Sequence, residues 1–116
     1  MKYKKCRVIE GYNSPYTDPL LFKKNEVVSI GEKESEWFGW IWCTNNAGKS
    51  RWVPENYIEI HRNRGKLKKD YNAVELNVKT GEELTIKEEE AEWYWVINQE
   101  GKNGWVPIKH VQLIEE

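Results

Sequence analysis

Trp40-Ile41-Trp42-Cys43, then Gly48-Lys49, then Trp52-Val53-Pro54, returns 53 positions later as Trp93-Tyr94-Trp95-Val96, Gly101-Lys102 and Trp105-Val106-Pro107. Self-similarity at a fixed spacing marks a duplicated structural unit and outranks what chain length alone would indicate. Upstream, Leu20-Leu21-Phe22-Lys23-Lys24-Asn25-Glu26-Val27-Val28-Ser29-Ile30 answers to Leu76-Asn77-Val78-Lys79-Thr80-Gly81-Glu82-Glu83-Leu84-Thr85-Ile86, 56 positions apart. Tyr12-Asn13 answers to Tyr71-Asn72, 59 positions apart. Each change of offset gives the first copy three extra residues, one set between Tyr12 and Leu20 and one between Ile30 and Trp40. Length differences confined to two places are loops on a shared scaffold. The copies therefore span residues 1–60 and 65–116. Between them, His61-Arg62-Asn63-Arg64-Gly65 reads as a short polar connection between two closely placed domains.

Each copy reads as strands. Val27-Val28-Ser29-Ile30, Trp40-Ile41-Trp42-Cys43 and Trp93-Tyr94-Trp95-Val96-Ile97 are short β-branched or aromatic runs bounded by polar, Gly-bearing stretches. Asn45-Asn46-Ala47-Gly48 and Asn98-Gln99-Glu100-Gly101 supply residues that tolerate positive φ between two such runs, which predicts a tight hairpin in each copy. Pro54 and Pro107 each follow a valine and lack an N–H donor, so strand pairing is predicted to end there.

Composition narrows the function. Charged residues make up 32% and hydrophobic residues 39% of the 116 residues, the proportions of a globular chain. No apolar run approaches the ~18–20 residues of a membrane span. The basic opening Met1-Lys2-Tyr3-Lys4-Lys5 leads into no apolar stretch of secretory-signal length and no small-residue cleavage site, so a cytoplasmic location is expected. Cys6 and Cys43 sit beside β-branched or aromatic residues and are expected to be reduced structural thiols. A net charge of −1 gives no whole-protein field for nucleic acid or an anionic membrane. Neither cysteine has a histidine at a recognised motif spacing, the histidines do not pair with metal-ligand cysteines, and no phosphate-binding glycine-rich loop precedes a helix. No enzymatic activity, cofactor or metal is therefore expected.

Asp70-Tyr71-Asn72-Ala73, then Glu75-Leu76-Asn77-Val78-Lys79-Thr80-Gly81-Glu82-Glu83-Leu84, then Gly104-Trp105-Val106-Pro107, resembles the Src-homology-3 (SH3) signature in order and approximate spacing. The first copy resembles it through Leu20 to Glu26 and through Trp52-Val53-Pro54-Glu55-Asn56-Tyr57-Ile58. Gly39-Trp40-Ile41-Trp42-Cys43 is similar to variant SH3 domains of prokaryotic proteins. The resemblance implies an all-β fold of two tandem five-stranded barrels, each with a shallow aromatic groove for an extended, proline-rich peptide. By the same resemblance, the first groove is formed by Tyr12, Trp40, Trp52, Pro54 and Tyr57. The second uses Tyr71, Trp93, Trp105 and Pro107, with His110 in the place of Tyr57.

Departures from the family pattern rank the two grooves. The family's additional groove tyrosine, two residues before Tyr12 and Tyr71, is replaced by Glu10 and Lys69. In the family, the loop before Leu20 or Leu76 carries carboxylates that pair with a basic ligand residue. The first copy has Asp18 in a full-length loop, the second only Glu75 in a shortened one, so the first copy is the expected peptide binder. The inserted Trp37 could extend its groove, and the acidic runs Glu32, Glu34, Glu36 and Glu88, Glu89, Glu90, Glu92 could attract a basic ligand or simply be solvated. Trp42 and Trp95 are expected to serve packing. The alternative partner is nucleic acid, met by the basic segment His61, Arg62, Arg64, Lys66, Lys68 and Lys69 with nearby aromatics. A further alternative is a structural pair of barrels in which the first groove is occluded, for which a buried Trp40 would be the sign.

Overall fold

The structure is a computed structural model that describes residues 3–31 and 39–114. Its elements are strands joined by turns and two short 3₁₀ turns, Glu55–Tyr57 and Ile108–His110. In the first half of the chain the strands are β1 (Lys5–Val8), β2 (Leu21–Phe22), β3 (Val27–Ile30), β4 (Trp40–Thr44), β5 (Ser50–Pro54) and β6 (Ile58–His61). The second half contributes β7 (Arg64–Leu67), β8 (Tyr71–Asn72), β9 (Glu83–Glu90), β10 (Trp93–Ile97), β11 (Asn103–Pro107) and β12 (Val111–Ile114). The chain divides into two compact units, one continuous over residues 19–73 and one composite, built from residues 1–18 and 74–116.

In the continuous unit the sheet runs β5-β4-β3-β7-β6, with β2 and β8 forming a separate two-stranded ladder. The β4–β5 hairpin turns where the asparagine–glycine pattern predicts. Asn45 Oδ1 accepts from the amides of Ala47 and Lys49, both at 3.0 Å, and Gly48 takes φ +81°. Alternation along the paired strands sends Cys43 and Val53, both 0% exposed, into the core and sets Trp40 opposite Pro54 on the other face. Phe22, Val28, Ile58 and Leu67 are also buried.

In the composite unit the sheet runs β11-β10-β9-β1-β12. Asn98 and Gly101 repeat the same turn, with Asn98 Oδ1 accepting from Glu100 and Lys102 at 2.9 Å. Its core joins Cys6 and Val8 from the start of the chain to Leu76, Val78, Leu84, Ile86, Tyr94, Val96, Val106 and Val111. Burying one such aliphatic side chain stabilises the fold by about 1.5–3 kcal/mol, so β1 is a substantial part of this unit. Pro54 and Pro107 are the last paired residues of β5 and β11, as their missing donor requires.

The two units of the fold are therefore not the two copies of the sequence. Only Arg62 and Asn63 separate β6 from β7, and Arg62 takes φ +59°. A connection of two residues closes an antiparallel hairpin, so β7 folds straight back on β6, from His61 opposite Arg64 to Ile58 opposite Leu67. The opening strand of the second copy thus lies between the last strand of the first copy and β3, where Val28 faces Gly65. The opening strand of the first copy takes the equivalent place in the other sheet, with Cys6 between Leu84 and Leu113.

One expectation is corrected by this exchange. The segment His61–Gly65 is not an interdomain linker, because it is the turn and flanking strand ends of a hairpin inside one unit. By their internal contacts the compact units divide at 18/19 and 73/74, while the sequence repeats run over 1–60 and 65–116. The SH3-like all-β arrangement of five strands per unit is present, but neither five-stranded sheet closes on itself through hydrogen bonds, so the sheets are not fully closed barrels. Among the described residues no helix is long and apolar enough to cross a membrane.

Candidate functional site

In the composite unit, β10 and β11 present one face to the core through Tyr94, Val96 and Val106, which leaves Trp93, Trp95, Trp105 and Pro107 on the other. Trp93 stands opposite Pro107, and Trp95 opposite Trp105 with ring centroids 5.3 Å apart. Tyr12 comes to this face from the first copy. Its backbone exchanges hydrogen bonds with Val78, amide to carbonyl at 2.9 Å one way and 3.0 Å the other. Its ring meets Trp93 edge-on at 5.6 Å and His110 edge-on at 5.4 Å.

Two carboxylates organise the surroundings of that ring. The hydroxyl of Tyr12 donates to Glu75 Oε1 at 2.6 Å, and Ser14 Oγ donates to the same oxygen at 2.8 Å. Glu75 is only 9% exposed, so these bonds compensate the burial of its charge. His110 Nδ1 lies 3.1 Å from the Glu10 carbonyl, which can only accept, so the proton on Nδ1 is directed there. Its Nε2 lies 3.4 Å from Glu10 Oε2. Glu10 therefore braces His110 from the position where the family carries another aromatic.

The continuous unit builds a related face from Trp40, Pro54, Tyr57 and Tyr71. Trp40 faces Pro54 across β4 and β5, and Tyr57 meets Tyr71 edge-on at 5.0 Å. Lys69 Nζ sits 4.1 Å from the centroid of the Tyr57 ring, a cation–π contact. Trp42 and Trp52 pair across the strands at 4.9 Å.

These geometries regroup the residues expected to bind. Tyr12 meets Trp93 and His110, and Tyr71 lies beside Tyr57. Asp18 is exposed and belongs to the composite unit. Glu75 is not a ligand-facing carboxylate, because its charge is turned inward to two hydroxyls. Trp52 and Trp105 are drawn to Trp42 and Trp95. Exposure is low at Trp40 (9%), Tyr57 (7%), Tyr71 (3%), Trp93 (5%) and Trp105 (3%), whereas Tyr12, His110 and Trp52 are half-buried. Glu32, Glu34 and Glu36, expected to attract a basic ligand or be solvated, and Trp37, expected to extend the first groove, lie outside the described residues.

The basic segment also looks different once folded. Arg64, Lys66 and Lys68 alternate with buried Gly65 and Leu67 along and just beyond β7, and Lys66 faces Glu59 across the pair. The carboxyl of Glu59 is held below the usual carboxylate range, first by its hydrogen bond to His61 and then by the charges of His61, Lys66 and Lys68. These cations share an internal counter-charge on a structured hairpin, and the nucleic-acid alternative gains no support. Burial pushes the Cys6 thiol up to about 11 and the Cys43 thiol up to about 12, which leaves both protonated at neutral pH and poor as nucleophiles. Among the described residues no cluster of three or more His, Cys, Asp or Glu is arranged to hold a metal ion.

Sequence reasoning missed Glu10, Ser14, Glu75 and Lys69 in these supporting roles. The signal that could have found the regrouping is Ile58-Glu59-Ile60-His61 followed after two residues by Arg64-Gly65-Lys66-Leu67, two extended runs with hairpin spacing.

Comparison with known proteins agrees with the duplication. A family model described as variant SH3 domain matches residues 5–61 and again 64–114. An SH3 and F-BAR domain-containing protein of Dictyostelium discoideum is 26% identical over 93% of this chain, which spans 23% of that protein's length. No solved structure matches.

Proposed function

The chain belongs to the variant SH3 domain family, and from that premise we propose that it takes an extended segment of a partner protein on the Tyr12 face of the composite unit. SH3 domains are protein-interaction modules, and no catalytic family is indicated for this chain. The observation that carries the reading is the ring set Tyr12, Trp93 and His110 beside Pro107. Its half-buried Tyr12 offers an apolar edge with a polar tip, the surface on which an extended proline-rich segment can lie with little loss of entropy. Charge adds a preference. Residues 1–18 with 74–116 carry eight Lys and Arg against twelve Asp and Glu, so a ligand with an Arg or Lys beside its prolines is favoured. The acidic run Glu88, Glu89, Glu90 and Glu92 lies at the end of β9 and the turn into Trp93, close in sequence to the ring set.

A single shallow face of this kind buries little area, so affinity is expected at about micromolar strength. The free, buried thiols fit an adaptor working in the reducing cytoplasm. The test is an amide chemical-shift titration of the whole chain with a proline-rich peptide carrying one arginine. Saturating shifts at Tyr12, Trp93 and His110 support the reading. An unmoved spectrum up to millimolar peptide removes it for this ligand class, and shifts confined to Trp40, Tyr57 and Tyr71 transfer it to the continuous unit.

A further inference from the structure

We propose that Glu75 is the positioning residue of the Tyr12 site and that it selects which of the two opening arms enters the composite unit. The inference rests on the binding reading above only where it concerns affinity. Each unit needs one arm, and the chain contains two related ones. By the repeat offsets, Tyr12 and Ser14 of the first arm correspond to Tyr71 and Ala73 of the second, while Glu75 and Asn77 correspond to Pro19 and Leu21.

The observed arrangement sorts these residues by polarity. In the composite unit, the hydroxyls of Tyr12 and Ser14 both donate to Glu75 Oε1, and the Ser14 amide donates to Asn77 Oδ1 at 2.6 Å. In the continuous unit the arm carries Ala73, which is 3% exposed and whose amide donates to the Leu20 carbonyl at 2.9 Å; Asn72 before it pairs with Leu21. Hydroxyl and amide donors meet carboxylate and amide-oxygen acceptors in one unit, whereas a buried alanine stands in the place of Ser14 in the other.

The opposite arrangement mismatches both. Ala73 in the place of Ser14 would withdraw one of the two donors from a carboxylate that is 9% exposed, and a buried charge that loses a donor is costly. Ser14 in the place of Ala73 would bring a hydroxyl to a position that is 3% exposed, in a unit where Pro19 replaces the accepting carboxylate of Glu75. The two-residue β6–β7 connection supplies the geometric half of the selection; Glu75 supplies the chemical half. The Tyr12 site is then a composite of both repeats, and neither copy alone contains it.

The test needs no ligand for its main outcome. Ring-to-ring NOEs in the whole wild-type chain should join Tyr12 to Trp93 and His110, and Tyr71 to Tyr57. Glu75→Ala should lose the Tyr12–Trp93 NOE while leaving Tyr57–Tyr71 intact, and Glu75→Gln, which keeps an acceptor oxygen, should restore it. Should Glu75→Ala fail to fold, Ser14→Ala is the milder variant, with faster amide exchange at Tyr12 and Val78 expected and no change at Tyr71. NOEs joining Tyr12 to Trp40, or Tyr71 to Trp93, in the wild type overturn the proposal, as does a Tyr12 environment unmoved by Glu75→Ala or, where only that variant folds, by Ser14→Ala. In parallel, affinity for the arginine-bearing proline-rich peptide should fall at least fivefold in Glu75→Ala and recover in Glu75→Gln. A peptide that never binds the wild type sinks the binding reading while the NOEs still decide arm selection.

Discussion

Lys5 and Ile114 stand opposite each other across β1 and β12, so the first and last strands of the chain are neighbours in one sheet. The remaining unit, residues 19–73, is closed in sequence between them. The fold is thus nested, one unit completed only when both ends of the chain arrive and the other contained in a single stretch.

That nesting predicts what each fragment does. Residues 19–73 expressed alone should give a dispersed amide spectrum and a cooperative thermal transition, because every strand of their sheet lies within them. Deleting residues 1–18 from the whole chain should remove Cys6 and Val8 from the other core and lose the signals of Tyr94, Val96 and Val106, while those of Cys43 and Val53 persist. Loss of both sets together would contradict the separate closure of the continuous unit.

The turn before Trp93 is strained and can be relieved. Ala91 and Glu92 take φ of +44° and +73°, both left-handed, between paired Glu90 and Trp93. Two consecutive positive φ values suit Asn-Gly and penalise residues with a Cβ. The double variant Ala91→Asn, Glu92→Gly should raise stability by about 1 kcal/mol, read as a higher denaturation midpoint with unchanged slope. A lower midpoint would show that the turn is held by its own side chains.

Gly104 is required by a close approach. A Cβ there would lie 2.8 Å from Leu76 Cβ, 2.9 Å from the Leu76 amide nitrogen and 3.1 Å from the Glu75 carbonyl carbon. Two of these are backbone atoms of the segment that carries Glu75, so it cannot yield by a rotamer change. Gly104→Ala should cost about 1–3 kcal/mol by overpacking, and it should shift the Tyr12 resonances because Glu75 is pushed away from β11. Chemical denaturation and an amide spectrum together check both effects.

Alkaline pH should weaken the fold, and neutral pH should leave it at full stability. The folded thiols of Cys6 and Cys43 ionise near 11 and 12 against an ordinary value of 9.0, and burial raises Tyr94 in the same direction. Between about 9 and 11–12 the unfolded chain has released protons that the folded chain still holds, so stability falls as pH rises through that window and is fully present below it. Denaturation midpoints at pH 8, 9.5 and 10.5 should decline in that order, and Cys6→Ala with Cys43→Ala should flatten the decline. Thiol labelling of the native chain at pH 7.5 should be slow and accelerate on adding denaturant.

Much of the local structure was readable in the residues. Asn45 to Gly48 and Asn98 to Gly101 declare their hairpins by side-chain chemistry, and Pro54 and Pro107 declare strand ends by a missing donor. Trp40 and Trp93 could be placed opposite those prolines because strand alternation and a fixed hairpin length leave little choice. The groove partners could not be read in the same way. Tyr12 and Tyr71 carry nearly the same neighbours, so position in the sequence assigned each to its own copy. Lys69 over Tyr57 and Glu10 beside His110 follow only from where those arms lie.

The sequence by itself determined a duplicated, strand-built, SH3-like chain, because periodicity, turn residues and proline act over a few positions and need no distant partner. Tertiary structure alone decided which arm completes which sheet. Both arms suit either sheet by strand propensity, so the outcome rests on two further terms: the local two-residue turn that folds β7 back on β6, and the buried carboxylate of Glu75, which two hydroxyls from the first arm satisfy. The Glu75 contacts join residues more than sixty positions apart, beyond the reach of any local pattern.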